Sequence, residues 1–97
     1  MRFDWDRRKA SSNHGKHGVT FEEAITAFDD PFALVAPDHT HSRPDEKRGW
    51  WIGEADVGLL VVVFTIREQQ TVYRIISARR ASRKERRRYE KAKRVSF

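Results

Sequence analysis

The stretch GLLVVVFTI, residues 58–66, is apolar at nearly every position and is followed by the polar residues REQQ. Its nine residues suit a strand, whereas a helix that crosses a membrane needs about twenty apolar residues. Successive side chains of a strand point to opposite faces, so a strand that is apolar on consecutive residues is buried on both sides. The stretch therefore predicts the central strand of a sheet that is covered on both faces.

Four further strands are predicted around this one. The short linker REQQ, residues 67–70, suits an antiparallel hairpin between the central strand and the next one, and residues 37–49 form a polar loop. The five predicted strands are FDWD at 3–6, FALVA at 32–36, WWIGEA at 50–55, GLLVVVFTI at 58–66 and TVYRIISA at 71–78.

Two helices are predicted before the second strand. Asp6 is suited to cap a first helix through RRKASSNH, which Gly15 or Gly18 would end. Thr20 and Glu23 have the spacing of a capping box at the start of a second helix. That helix has an apolar stripe that would pack on the sheet, formed by Phe21, Ala24, Ile25 and Phe28.

A third helix is predicted at the C-terminal end. Ser82 and Glu85 have capping-box spacing, and the stripe that could be buried consists of Ala81, Glu85, Tyr89 and Ala92. The order β-α-α-β-β-β-β-α predicts a single small α+β domain over residues 1–97, with helices packed on a curved antiparallel sheet.

Charge is unevenly distributed along the chain. The net charge is +6; residues 1–50 hold eight Lys/Arg against nine Asp/Glu, and residues 51–97 hold twelve against five. This asymmetry indicates a polyanionic partner, most simply a nucleic acid, although anionic lipid or an acidic protein also fits. The absence of cysteine excludes disulfides and thiolate chemistry. The N-terminal MRFDWDRRKA is charged where a signal peptide is apolar, so we expect a cytoplasmic protein.

The excess of charge is concentrated in an arginine run. Between Arg79 and Arg94, ten basic residues face two acidic ones, so pairing within the run leaves most of the charge unbalanced. Phosphates are the natural counter-charge for arginine, whose planar guanidinium can bind two oxygens. A solvated helix is the simpler alternative, and a membrane surface is disfavoured because the helix lacks a broad apolar face. We expect Arg83, Arg86 and Arg87 to add affinity for RNA.

The arginines at the ends of two strands are the sharper candidates. Arg79 and Arg80 lie where the last strand ends and the helix begins, at a helix N-terminus that favours anions. An extended strand would place Arg79 on one face with Tyr73, Ile75 and Ser77, and would place Arg67 with Val61, Val63 and Thr65. The hairpin register, which the sequence leaves open, decides whether Arg67 and Arg79 share a face. Two arginines on one phosphate would stabilise the charge of a phosphoryl-transfer transition state.

Histidines offer proton transfer. In NHGKHG, residues 13–18, His17 lies beside Lys16, and histidine is the side chain whose unperturbed pKa suits proton transfer near neutrality. A cap or surface residue is the simpler interpretation of a histidine in such a turn. His39 and His41 in the polar loop match no established metal-ligand spacing, so we predict no metal site.

The adjacent Trp50 and Trp51 would point to opposite faces of a strand. One then packs in the core, and the other is either exposed for stacking on a base or placed at a protein interface. We take Trp51 as the candidate for base stacking.

Three segments together resemble a known family. NHGKHGVTFEEAITAFDDP at 13–31, EKRGWWIG at 46–53 and LLVVVFTIREQQTVYRIISARRASRKERRRYE at 59–90 are similar to the BrnT family of toxins in bacterial type II toxin–antitoxin systems. The likeness extends from about Phe3 to Glu90. Each motif alone is weak, but the combination is specific.

The resemblance implies a RelE-like fold and a small endoribonuclease that inhibits translation by cutting RNA, without metal or other cofactor. It also implies a cognate ribbon-helix-helix antitoxin, BrnA-like, that neutralises the toxin and joins it in a DNA-bound repressor complex. The positions that match the family's motifs are Lys16 and His17 in KHG, Arg67 in FTIR, and Arg79 and Arg80 in SARRA.

Two readings of function from other classes stay open at this point. The chain could be a non-catalytic RNA- or DNA-binding module, or a ribosome-associated protein, which would bind RNA without cutting it. Alternatively, its basic surface could be a docking site for an acidic protein.

Overall fold

The computed structural model describes residues 1–44, 46–67 and 72–95. The elements in these ranges are β1 Arg2–Trp5, α1 Arg7–His17, α2 Phe21–Ile25, β2 Leu34–Pro37, β3 Arg48–Ala55, β4 Gly58–Arg67, β5 Val72–Arg80 and α3 Arg83–Val95. A turn of 3-10 helix, Thr26–Asp29, extends α2. The predicted order of elements and the α+β class are confirmed. Residues 68–70 of the predicted hairpin turn, Thr71 of the predicted last strand and Asp45 of the predicted loop lie outside the described residues.

The strands form one open sheet in the order β1-β5-β4-β3-β2. Neighbouring strands are antiparallel except for β1, which runs parallel to β5. The prediction of an antiparallel sheet is therefore corrected at one edge, because the first strand joins the sheet beside the last strand. β4 is central as predicted, and consecutive residues 59–62 are at most 2% exposed.

The sheet has a hydrophobic core on each face. On the first face, which we call the α1 face, Phe21 and Ala24 of α2 pack with Leu60, Val62 and other sheet residues. The second face, which we call the α3 face, packs against the C-terminal helix, with a core formed by Ile52, Leu59, Val61 and Tyr89. This arrangement explains why consecutive residues of β4 are apolar.

A β-bulge in β5 changes which side chains reach each face. The register between β4 and β5 shifts by one residue, which leaves Ile76 without a partner on β4. Tyr73 and Ile75, before the bulge, point to the α1 face, whereas Ser77 and Arg79, after it, point to the α3 face. The prediction that these four residues share a face is wrong, because an extra residue interrupts the alternation of a strand.

The predicted helix caps are confirmed. Asp6 accepts hydrogen bonds from backbone N–H groups at the start of α1, and Gly18 ends that helix with a left-handed φ of 70°. Thr20 and Glu23 form a reciprocal capping box at the start of α2. Of the helices in the described ranges, none is long and apolar enough to cross a membrane.

Asn13 attaches α1 to the edge of β5. Its Nδ2 donates to the carbonyl oxygens of Val19 at 3.0 Å and Ala78 at 2.8 Å, and its Oδ1 accepts from the Ala78 N–H at 3.1 Å. β1 pairs with β5 only as far as Ile75, so this buried side chain takes the place of a strand partner beyond the bulge. The sequence does not reveal this role, because one asparagine in a polar helix has no distinguishing pattern.

Tyr89 anchors α3 to the sheet. The residue is 4% exposed, and its hydroxyl donates to Oδ2 of Asp30 at 2.5 Å. Glu85 and Ser82 cap the helix reciprocally, as predicted. The predicted stripe is confirmed, since Tyr89 is buried and Ala81, Glu85 and Ala92 are half-buried. The N-terminal turn of α3 is thereby fixed over the end of β5.

We expect Asn13→Ala to lower the free energy of unfolding by about 2–4 kcal/mol, because buried backbone groups of Val19 and Ala78 lose their partners. Urea unfolding of the purified chain measures the change. Ser12→Ala, at an exposed position of the same helix, is the control and should change stability by less than about 0.5 kcal/mol. Equal losses for the two variants would show that the Asn13 amide does not hold α1 on β5.

Candidate active site

A cavity of about 260 Å³ lies on the α3 face, between β5 and the loop that joins β2 to β3. We call it the arginine–histidine cavity. Valine and isoleucine side chains form its apolar part, and its polar part combines acidic, basic and aromatic groups. The lining residues are Asp38, His41, Arg48, Trp50, Val61, Val63, Ile76, Ser77 and Arg79.

Glu85 holds Arg79 in one orientation. Nη1 and Nη2 of Arg79 donate to the two carboxylate oxygens of Glu85 at 2.7 and 2.8 Å. The Ser82 N–H donates to the same carboxylate at 2.8 Å, so the helix cap and the ion pair share one group. Against the opposing effect of burial, Arg79 and Ser82 lower the pKa of Glu85 to about 2. The carboxylate therefore stays ionised, and the guanidinium is fixed in the wall of the cavity.

Arg79 keeps one pair of donors for a ligand. A guanidinium has five N–H groups, and Glu85 and the Arg80 carbonyl use three of them. Among the described residues, no acceptor is found for Nε–H and the second Nη2–H. These two groups are parallel donors that match two oxygens of a phosphate. With the side chain 40% exposed, a ligand can reach them.

Asp38 and His41 form a second fixed pair in the same cavity. Nδ1 of His41 lies 2.9 Å from Oδ2 of Asp38, and the His41 backbone N–H donates to Oδ1 at 3.3 Å. The Asp38 side chain is 5% exposed, and the His41 side chain is 63% exposed. Sequence analysis considered His41 only as a metal ligand. The signal that could have found the pair is Asp38 three residues before His41, a spacing at which Asp caps a turn.

Trp50 and Arg48 complete the cavity wall. The indole N–H of Trp50 lies close to the Asp38 carboxylate and is the main cause of the lowered pKa of that group. His41 lowers the pKa further, and burial acts in the opposite direction. The geometry falls short of a hydrogen bond, and within the described residues Trp50 Nε1 has no hydrogen-bond partner. Arg48 Nε donates to Glu46 at 3.2 Å. Arg48 is not among the residues predicted for the site from the sequence.

Trp51 lies on the α1 face. Its Nε1–H donates to the Ala27 carbonyl at 2.8 Å, and its ring stacks on Phe28 with centroids 4.5 Å apart. These contacts use the ring as part of the core. Of the two tryptophans, Trp50 is the one that lines the cavity, and base stacking by Trp51 stays a prediction.

Lys16 and His17 line a neighbouring cavity of about 250 Å³ between α1 and β5. Lys16 is exposed and His17 is half-buried. Ile76 and Ser77 line both this cavity and the arginine–histidine cavity, so the two adjoin at the bulge. The structure thus brings Lys16 and His17 to the neighbourhood of the cavity that contains Arg79.

The side chains of Arg67 and Arg80 lie away from the Arg79 guanidinium. Register places Arg67 on the same face as Arg79, which answers the question that the sequence left open. The two positions are six residues apart along β4, about 20 Å, and Arg67 is not among the residues that line the arginine–histidine cavity. Arg67 lies 3.6 Å from Glu46. Arg80 points to the α1 face, where its Nη1 donates to the Val57 carbonyl at 2.6 Å.

The arginines of α3 are exposed to solvent. Arg83, Arg86 and Arg87 are all exposed, and Arg86 lies 3.9 Å from Glu90. Tyr89 packs the opposite side of the helix on the sheet, so these arginines lie on the solvent side of α3, outside the core. Their arrangement fits long-range attraction of a polyanion.

A larger cavity of about 430 Å³ lies on the α1 face near β2. Val35, Phe64 and Ile66 give it an apolar lining, and Lys47 and Arg48 are its charged residues. Among the described residues that line it there is no His, Asp or Glu to accept a proton near neutral pH. The arginine–histidine cavity is therefore the better candidate for an active site. In the described ranges, no three His, Asp or Glu side chains are grouped as a metal site.

Because the pKa of Glu85 is about 2 in the folded chain and near 4.5 when it is unperturbed, its ion pair contributes stability above about pH 4.5. That contribution is lost as the pH falls from about 4.5 to 2. We expect Glu85→Gln to lower the free energy of unfolding by about 1–2 kcal/mol at pH 7, a moderate loss because solvent screens the partly exposed Arg79. The difference between the two chains should disappear near pH 2, as Glu85 becomes protonated. Urea unfolding at several pH values measures it. Glu90→Gln on the same helix is the control. A loss of stability in Glu85→Gln that does not change with pH would show that the charge of Glu85 is not its cause.

Comparison with known proteins identifies the family of the chain. Residues 5–85 match the family described as "Ribonuclease toxin, BrnT, of type II toxin-antitoxin system". Among proteins with curated descriptions, no match is found. The matched range extends from β1 to Glu85 and so includes the arginine–histidine cavity. The resemblance of the sequence motifs is confirmed: the chain belongs to the BrnT family of ribonuclease toxins of type II toxin–antitoxin systems.

Proposed function

We propose that this toxin is a metal-independent endoribonuclease that cuts RNA in the arginine–histidine cavity and thereby inhibits translation. The observation that supports the proposal best is Arg79, whose free pair of donors faces solvent while Glu85 fixes its orientation. Donors that are fixed before the substrate binds need no reorganisation when charge develops on the phosphate. The cytoplasm, where RNA is translated, is the compartment that this activity requires.

Arg79 binds the scissile phosphate in this proposal. The guanidinium contacts two non-bridging oxygens through Nε–H and Nη2–H. Extra negative charge gathers on these oxygens as the phosphorus becomes five-coordinate, so the contact is stronger in the transition state than in the bound substrate. Arg48, in the same cavity, is a second cation, and its pairing with Glu46 orients it.

Lys16 and His17 act from the neighbouring cavity. A phosphate above Ser77 lies between the two cavities, because both are lined by that residue. Lys16 attracts the phosphate, and His17 exchanges a proton with the reacting oxygens as base or acid. Cleavage by the ribose 2′-hydroxyl needs no metal, since the bond is broken by an oxygen of the RNA itself.

The remaining arginines bind the RNA outside the cavity. Arg67 is at the far end of the same sheet face and contacts a different phosphate of the strand. Arg80, on the opposite face, helps to orient the RNA backbone at the edge of the sheet. Arg83, Arg86 and Arg87 increase affinity through the charge of α3. Their spread over the surface suits an extended RNA strand.

Membership of a type II system means that a protein antitoxin is the partner of this toxin. We propose that the antitoxin is a BrnA-like ribbon-helix-helix protein, and that the two proteins together bind and repress their own promoter. The excess of positive charge on the toxin fits a partner that is acidic where it contacts α3.

The direct test is incubation of the antitoxin-free chain with end-labelled RNA in excess EDTA, with and without ribosomes. We expect fragments that end in a 2′,3′-cyclic phosphate. Arg79→Lys retains the ion pair with Glu85 but loses the planar donors, and should cut at least about 100-fold more slowly. Arg74→Lys is the matched control, because Arg74 is on the same strand and face and lies 3.3 Å from Asp4.

Two results would contradict the proposal. RNA that is bound but stays intact in both assays would favour a non-catalytic RNA-binding module. Equal cutting by Arg79→Lys, Arg74→Lys and the unsubstituted chain would remove Arg79 from the active site.

RNA affinity should fall steeply with salt, because each neutralised phosphate releases counterions. Each phosphate contact with single-stranded RNA contributes about 0.7 to the slope of the logarithm of the binding constant against the logarithm of the salt concentration. Replacing Arg83, Arg86 and Arg87 together by alanine should therefore make this slope shallower by about 2. Fluorescence anisotropy between about 50 and 200 mM salt measures the slope. An unchanged slope would show that α3 does not contact the phosphates.

A further inference from the structure

We propose that His41, oriented by Asp38, is the base that removes the proton from the ribose 2′-hydroxyl in the arginine–histidine cavity. The proposal rests on the ribonuclease activity proposed above and adds a catalytic residue to it. It also divides the acid and base roles, since His17 then becomes the proton donor.

The position of Asp38 is fixed by the backbone around it. Its N–H donates to the Arg48 carbonyl at 2.9 Å, and the Ser42 hydroxyl donates to the Asp38 carbonyl at 2.6 Å. The same hydroxyl accepts from the Arg48 N–H at 3.0 Å. These bonds tie the loop to the start of β3, so the Asp38 carboxylate is a rigid support for the histidine.

The contact with Asp38 decides which nitrogen of His41 is basic. A carboxylate 2.9 Å from Nδ1 favours the proton on Nδ1, which leaves the lone pair on Nε2. The carboxylate keeps its charge, because its own pKa is lowered by Trp50 and His41. With the His41 side chain 63% exposed, Nε2 can meet a substrate hydroxyl.

The charges around His41 suit a base that acts next to a phosphate. The charged groups that line its cavity are Asp38 from the loop, Arg48 from β3 and Arg79 from β5. Glu46 and Glu85 pair with the two arginines and fix them. Because Arg79 and His41 line the same cavity, a phosphate bound to Arg79 places the adjacent ribose near His41.

His17 lacks such support. Among the described residues, its ring has no hydrogen-bond partner that would select a tautomer or an orientation. It lies in the neighbouring cavity, which shares Ile76 and Ser77 with the arginine–histidine cavity. This position suits the leaving oxygen, which departs from the side of the phosphorus opposite to the attacking oxygen.

The reaction then proceeds as an in-line transfer. Nε2 of His41 takes the proton of the 2′-hydroxyl, and O2′ forms a bond with phosphorus. The bond between phosphorus and O5′ breaks, and O5′ takes a proton from the His17 imidazolium. The products are a 2′,3′-cyclic phosphate and a 5′-hydroxyl, and the two histidines exchange their protons with water before the next turnover.

Single-turnover cleavage of His41→Ala tests the assignment, with His39→Ala as the control because His39 is exposed in the same loop. We expect His41→Ala to be at least about 100-fold slower with RNA affinity changed less than twofold. Added imidazole should restore part of the rate, which a merely structural role would not allow. His39→Ala should cut like the unsubstituted chain.

The support from Asp38 is tested separately by NMR. The long-range proton–nitrogen spectrum of the unsubstituted chain should show His41 with its proton on Nδ1, and Asp38→Asn should weaken this preference and slow cleavage. A proton on Nε2, or cleavage by His41→Ala at the normal rate, would overturn the role of His41 while the ribonuclease activity stands. If the unsubstituted chain cuts no RNA with or without ribosomes, the proposed function itself fails.

Discussion

The β-bulge at Ile76 is the constraint on which the candidate site depends. In an uninterrupted strand, Arg79 would lie on the α1 face with Tyr73 and Ile75, away from α3. The extra residue turns Ser77 and Arg79 to the α3 face, where Glu85 can pair with the guanidinium. The Asn13 amide then bonds to β5 just beyond the bulge and stabilises the edge that β1 leaves uncovered.

Carboxylates orient the basic groups of the cavity. Glu85 pairs with Arg79, Asp38 with His41, and Glu46 with Arg48, each at 3.2 Å or less. Such pairing reduces the repulsion between cations in one cavity, and it fixes each side chain before a ligand binds. In the proposed function the exposed arginines of α3 serve a different purpose, because their charge would attract a polyanion from a distance. The proposed function thus places binding and chemistry on two adjacent parts of one basic surface.

Much of the fold could be predicted from the sequence, because it depends on local patterns. The apolar run of β4 identified the central strand, and the Thr20–Glu23 and Ser82–Glu85 spacings identified two helix starts. The bulge could not be predicted, since consecutive isoleucines fit a strand in either register. Which of Trp50 and Trp51 lines the cavity could not be predicted either, as the two have equal strand propensity. The Asp38–His41 pair lies in an aperiodic loop, where only tertiary contacts reveal the neighbours of a side chain.

The central claim is that RNA reacts in the arginine–histidine cavity. The measurement that tests it most directly is the NMR spectrum of the labelled chain titrated with an oligoribonucleotide whose 2′-hydroxyls are all methylated, so that it binds without being cut. The account predicts that the largest shifts occur at the His41 ring, the Trp50 indole, Ser77 and the Arg79 Nε–H. Shifts confined to the cavity on the α1 face around Val35 and Ile66, or to α3 alone, would contradict it.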